Sequence, residues 1–174
     1  PILIWRQQTL AMLQRWRPIL LMGLLSSGIP AACYSFALLF ISTGLSSILN
    51  STTPLFGALI AWWWLGDKLN LWRMTGLGLG FAGVVLLTLH RSGTDTLSYG
   101  NEELAIAACL LATLCYGVAG SFIKRYLFDV PVMVTTTGSL FGASIALLLP
   151  AMWFWPSEPP SLHAWLSLLV LGLF

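Results

Sequence analysis

The residues able to do chemistry in this chain are mostly uncharged and lie inside apolar runs. Tyr34 and Ser35 fall in one run, and Ser46, Ser47, Asn50, Ser51, Thr52 and Thr53 open the next. Tyr116 and Ser121 lie in a later run, and Thr135, Thr136, Thr137 and Ser139 start another. A Ser or Thr hydroxyl can bond a carbonyl one turn back, so a structural role is the default for any single one. An Asn amide cannot satisfy itself fully in this way; it needs a helix partner, water or a ligand, which makes Asn50 the leading single candidate for a functional contact. Pro54 follows this polar cluster and leaves the carbonyl one turn earlier without its usual donor. In a membrane such a gap is tolerated where neighbours or a watery cavity repair it. The candidate pathway set is therefore Asn50, Thr53 and Pro54, with Tyr34 and Tyr116 offering aromatic faces that carry hydroxyls.

Other chemistries fit less well. Cys33, Cys109 and Cys115 have no C-x-x-C spacing and sit in apolar runs, which favours packing or free thiols over a metal site or disulfide. His90 and His163 fall at a span end and in a loop, where an interfacial role is favoured over a proton relay. Intramembrane hydrolysis needs a Ser with a nearby His, or paired aspartates. Ser144 has no His deep in any span, and Asp67 has no second intramembrane Asp, so no enzyme, metal or cofactor is expected here. Gly78 to Gly83 reads G-x-G-x-x-G, but no strand precedes it and it lies within an apolar run. Gly76, Gly80 and Gly83 instead share one helical face, where they would let another backbone approach; Gly138 and Gly142 form a similar pair, and Gly117 with Ser121 a weaker one. The Asn50-Ser51-Thr52 sequon lies within or at the edge of a span, so the match reads as accidental.

The elements that must carry these residues are membrane spans. Hydrophobic residues make up 57% of the chain and charged ones 8%, against about 25% charged in soluble domains, which identifies an integral membrane protein. Mean hydropathy is +0.85. Five runs without Asp, Glu, Lys or Arg can cross the bilayer: 18–42, 45–65, 74–90, 104–123 and 131–155. Residues 1–5 and 164–174 read as parts of two further crossings. Alternate loops hold Arg6, Arg15, Arg17, Lys68, Arg73, Lys124 and Arg125, which predicts a cytoplasmic location for that side. The other side has Arg91 with Asp95, Glu102, Glu103 and Glu158. A net charge of +2 gives no reason to expect nucleic acid, because topology accounts for the basic residues. Trp5, Trp16, Trp72, Trp153, Trp155 and Trp165 all fall near predicted span ends, as interfacial indoles do; of Trp62, Trp63 and Trp64, at most one or two can face a pathway.

Sliding the chain on itself gives one match: Pro1, Leu13, Trp16, Leu20, Gly23 and Leu24 recur as Pro150, Leu162, Trp165, Leu169, Gly172 and Leu173. Five crossings separate the copies, so a duplicated unit would insert upside down. The loop charges agree, with three arginines in the first copy and none in the second. Inverted repeats are characteristic of secondary transporters, whose sites lie near the midplane. Two such units imply a parent of roughly 300 residues and ten helices. Pro1 in place of Met, and an end at Phe174 within an apolar run, lead us to expect a fragment of that parent.

The stretch GLSSILNSTTPLFGALIAWWWLGDKLNLWRMTGLGLGFAGVVLL, residues 44–87, resembles the EamA-type family of the drug/metabolite transporter superfamily. The shared pattern is a small-residue-rich helix start, a proline such as Pro54, an apolar helix, a Gly-acid-basic turn and a Gly-rich next helix. Gly66-Asp67-Lys68 carries Asp where Glu is commoner. The resemblance implies an all-α integral membrane fold, here a fragment of a ten-helix bundle made of two inverted five-helix repeats. Residues 1–90 would end the first repeat, 91–103 form an outer loop, and 104–174 begin the second. It further implies a multi-pass protein of the inner (plasma) membrane that moves a small metabolite, such as an amino acid or related compound, commonly by export. The expected partners are a small-molecule substrate and the lipid bilayer. Proton coupling and oligomeric state stay open, and any titrating group lies outside these five spans or arrives with the substrate. A polytopic membrane enzyme with its catalytic residues elsewhere in the parent, or a purely structural membrane protein, is the alternative.

Overall fold

The computed structural model describes residues 15–68, 70–92, 101–153 and 161–173, and every regular element among them is helical. The tail 1–5, Arg6, the repeat residues Pro1 and Leu13, and Asp95, Trp155 and Glu158 lie outside the described residues. The first crossing joins α1 (Trp16–Gly23), a π-helical segment (Leu24–Gly28) and α2 (Ile29–Ala37). The second joins α3 (Thr43–Asn50), α4 (Thr53–Ile60) and a second π-helical segment (Ala61–Leu65). Then follow α5 (Leu71–Ser92), α6 (Glu102–Tyr126), α7 (Val132–Trp153) and α8 (Leu162–Leu173). Trp16–Ala37, Leu71–His90, Glu102–Tyr126 and Val132–Trp153 are each long and apolar enough to cross a membrane. This is the helical fold expected of a polytopic membrane chain, since lipid offers no partner to an open backbone group.

The span expected over 45–65 is not one helix. Its ladder breaks at Ser51 and Thr52, because Pro54, in the first turn of α4, has no N–H to return to Asn50. The first crossing responds to Pro30 differently: the helix widens just before it, and the Ile29 N–H reaches back to the Leu24 carbonyl. At the start of α3, Ser42 is extended and its hydroxyl accepts from the Leu45 N–H at 3.3 Å, a side-chain cap for an otherwise orphan donor.

Helix α6 is the centre of the bundle, packing against α1, α2, α3 and α4, while α1 packs along α7. Its ends suit its dipole, with Glu102 and Glu103 in the first turn and Lys124 and Arg125 in the last. Two apolar clusters grip it at opposite ends. Ala37, Ile41, Leu45, Leu49, Ala105 and Cys109 form one, toward the Glu102 end. Ile19, Phe122, Leu127 and Val134 form the other, toward the Lys124 end. Between them lies a band of hydroxyl and amide groups.

Glycines let the backbones meet in this layer. A Cβ on Gly117 would stand 2.9 Å from the Gly57 nitrogen and 3.0 Å from the Phe56 carbonyl carbon, so α4 and α6 touch backbone to backbone. A Cβ on Gly23 would collide with the Ser139 carbonyl oxygen, so α1 and α7 do the same. Gly142 faces Leu20 across the same α1–α7 contact.

Candidate functional site

The polar stretch around the α3–α4 break satisfies itself through hydroxyls. Ser47 donates to the Thr43 carbonyl at 2.8 Å, Ser51 to Ile48 at 2.6 Å and Thr52 to Leu49 at 2.7 Å. The carbonyl that Pro54 deprives of a donor is that of Asn50. Thr53 supplies the substitute, its hydroxyl donating to that oxygen at 2.8 Å. Thr52 and Thr113 are both buried and join the break to α6 through a hydroxyl pair at 3.1 Å. Higher on the same face Ser46 and the Cys109 thiol lie 3.7 Å apart.

Asn50 gathers the expected residues around it. Its side-chain oxygen accepts from the Tyr34 hydroxyl at 2.8 Å, linking α2 to α3. It also accepts from Thr53 at 3.2 Å. Both bonds use the amide oxygen, and among the described residues no acceptor engages the amide N–H groups of this exposed side chain. Asn50 is thus held in orientation while keeping two donors. Thr53, Pro54 and Tyr116 line a cavity of about 310 Å³ with Gly57, Gly117, Ser121 and Lys124. Asn50, Thr53 and Tyr34 therefore form one hydrogen-bonded group, Thr53 and Pro54 share a cavity with Tyr116, and Thr53 belongs to both.

The packing glycines divide. Gly142 meets Leu20 and Gly138 is buried. Gly80 faces Leu55, with 3.2 Å between its added Cβ and Cδ2. Gly76 and Gly83 have no described atom within 4 Å of such a Cβ. Sequence reasoning did not single out Thr113 or Gly57, and it marked Gly23 as a repeat position and not as a packing one. Their partners sit on remote helices, at separations no local spacing records. It also left out Ser26 and Ser27, in the π segment. With Thr135, Thr136 and Ser139 they line a second cavity of about 490 Å³ between the first crossing and α7. A Ser-Ser-Gly run just ahead of Pro30 was the available signal.

The end bearing the basic residues is tied together by polar contacts. Arg15 pairs with Asp129 at 2.8 Å and donates to the Tyr126 carbonyl at 3.4 Å. Lys124 stands 3.5 Å from Asp67. Arg125 donates to the Trp64 carbonyl at 3.1 Å and lies over the Trp64 and Tyr126 rings. Of the three consecutive tryptophans, Trp64 packs inward on Phe122 and Tyr126, while Trp62 and Trp63 are exposed.

Residues 1–89, which contain the broken helix, its proline and the Gly66-Asp67-Lys68 turn, match the EamA-like transporter family. The chain belongs to that family. A relative described as "Uncharacterized transporter YoaV", from Bacillus subtilis (strain 168), is 29% identical over 157 residues, covering 88% of this chain and 51% of the relative. This EamA-like chain thus spans about half the length of the curated relative it matches. No solved structure matches it. Membership makes it a multi-pass membrane protein of a transporter family, with Asn50, Thr53 and Pro54 inside the matched region and Tyr116 outside it.

Proposed function

We propose that the protein is a secondary transporter that moves a small metabolite, such as an amino acid or related compound, out across the inner membrane by alternating access. The observation that carries this reading is the interrupted α3–α4 helix, where Asn50 is oriented by Tyr34 and Thr53 beside the cavity of Thr53, Pro54 and Tyr116. Discontinuous helices with oriented polar groups form the solute sites of many secondary transporters. The glycine contacts of α4 with α6 and of α1 with α7 would be the surfaces on which helices rock. In the parent chain, residues 1–90 would end one five-helix repeat, 91–103 form the connecting outer loop and 104–174 begin an inverted second repeat, giving ten helices. The match of residues 1–89 to the family supports a boundary near residue 90.

Metabolite profiling of cells lacking and overproducing the protein identifies the solute, and flux into reconstituted vesicles tests the site. Asn50→Ala removes the donors and the anchor of Tyr34 together, and flux falls about tenfold if the lost contact is worth roughly 1.4 kcal/mol. Unchanged flux of the true solute would remove Asn50 from the pathway.

A further inference from the structure

Lys68, Arg73 and Lys124 converge on one cavity of about 520 Å³ at the basic end of the bundle, with Asp67 its only acidic residue. The apolar part of the wall includes Pro54, Gly57 and Ala61, which also line the cavity of Thr53 and Tyr116. Lys124 belongs to both linings, so the two spaces share a wall.

The positive-inside rule explains why basic residues gather at one end, but not why these three surround a cavity. Among the described residues, the other cations at this end are engaged elsewhere: Arg15 with Asp129, Arg17 over the Trp16 ring and Arg125 with the Trp64 carbonyl. Lys68 and Arg73 have no ion-pair partner among the described residues. Lys124 shares Asp67 at 3.5 Å, an exposed contact that a better anion can replace. Arg73 and Gly76 sit in the opening turns of α5, whose dipole is positive at this end. Three cations against one carboxylate leave the cavity with an uncompensated positive charge beside low-dielectric walls, which focus the field on whatever enters.

We propose that this cavity is a binding site for an oxyanion, the carboxylate or phosphate of a soluble metabolite or the phosphate of an anionic lipid headgroup, held by Lys68, Arg73 and Lys124. Arg73 offers a planar fork suited to two oxygens, and the lysines act as mobile point charges. The site does not depend on solute movement and can be tested without it.

Lys68 and Lys124 are the two lysines of the sequence, so the test is their acylation rate by a neutral amine reagent, read by mass spectrometry against an added soluble lysine peptide as reference. In nanodiscs of phosphatidylcholine alone, inorganic phosphate is compared with chloride at equal ionic strength, so that general screening cancels. At a phosphate concentration twice the dissociation constant, mass action slows labelling about threefold. In a second arm, without phosphate, nanodiscs of equimolar phosphatidylcholine and phosphatidylglycerol replace the neutral ones. Slowing by phosphate assigns the site to soluble anions, slowing only by phosphatidylglycerol assigns it to a lipid headgroup, and either supports the proposal. Arg73→Gln should reduce the protection of Lys124 in whichever arm shows it. Equal rates in all wild-type arms, or protection of Lys124 unchanged by Arg73→Gln, overturn it.

Discussion

Replacing Gly23 with Ala should loosen the crossing of α1 and α7 more than any intrinsic helix preference can offset. In an unobstructed helix, Gly→Ala stabilises by about 1 kcal/mol, because Ala has less backbone freedom to lose. At Gly23 the added methyl collides with the Ser139 carbonyl oxygen and stands 3.0 Å from the carbon and Cα of the same residue. These are backbone atoms inside α7, so no rotamer change relieves the clash and the two helices must part. Overpacking of this kind costs about 1–3 kcal/mol. Parting also separates Gly142 from Leu20, where a Cβ would have only 2.5 Å to Cδ2, and thins the dispersion contacts that hold helices together in lipid. With the cost at its upper end, the net loss is about 2 kcal/mol, and the gap to an unobstructed control is about 3 kcal/mol. Gly78 supplies that control, since no described atom lies within 4 Å of its Cβ position. The assay is equilibrium unfolding of the purified protein in mixed micelles, followed by helical circular dichroism for wild type, Gly23→Ala and Gly78→Ala. Gly23→Ala as stable as Gly78→Ala would refute the backbone contact, and with it the geometry of this crossing.

Gly66 ends the second π segment at φ 71, so Gly66→Ala should cost about 1–2 kcal/mol from left-handed strain, and Gly66→Asn clearly less, in the same unfolding assay. Thr113→Val keeps the shape of α6 but removes its bond to Thr52, and the loss should fall between about 0.6 and 1.7 kcal/mol. In a double-mutant cycle, Tyr34→Phe and Asn50→Ala should show a coupling of about 0.5–1.5 kcal/mol in stability; additive losses would break the link between α2 and α3. Thr53→Val orphans the Asn50 carbonyl, so amide hydrogen exchange over residues 51–56 should quicken, whereas Thr53→Ser, which keeps the donor, should leave it nearly unchanged.

Much of the fold was legible because lipid makes the rules strict. A run without charges long enough to cross must be a helix, and the runs at 74–90, 104–123 and 131–155 became α5, α6 and α7 with ends shifted by a few residues. The weakness at Pro54 was legible too, since the lost N–H belongs to the residue type itself. The repair was only half legible. A hydroxyl next to the proline was visible, but that Thr53 takes the Asn50 carbonyl three residues back rather than that of Leu49 four back depends on the local geometry of the break. Contacts between helices were legible only as positions, Gly117 and Gly142 among them, and not as partners. Gly23 and Ser139, or Gly57 and Gly117, meet only after the helices pack, whereas the periodic face of Gly76, Gly80 and Gly83 advertises itself in sequence and finds one described neighbour, Leu55. The basic residues were read as topology markers, and their convergence on one cavity requires the third dimension.

The crossings that carry Pro30 and Pro54 both pack against α6, which is itself unbroken from Glu102 to Tyr126, while a further proline, Pro150, lies near the end of α7. This division has a physical reason. An interruption frees backbone groups that lipid cannot satisfy, so it survives only against protein that supplies donors. Thr53 and the Thr52–Thr113 pair do this for the α3–α4 break, and the widened turn before Pro30 does it within its own helix. The repairs differ in what they permit. A π turn keeps the helix continuous, whereas the α3–α4 joint combines short backbone bonds, such as Thr52 N–H to Leu49, with the exchangeable hydroxyl bonds of Thr52 and Thr53. Below that joint, α4 meets α6 backbone to backbone at Gly57 and Gly117, with the Ile60 side chain closing on the same point, its Cδ1 3.0 Å from the position of a Gly117 Cβ. A helix anchored by replaceable hydrogen bonds at one end, with a close glycine contact below it, has few bulky side chains to displace at those two points. The rocking proposed above would need such a joint, and this one falls at the residues that orient Asn50.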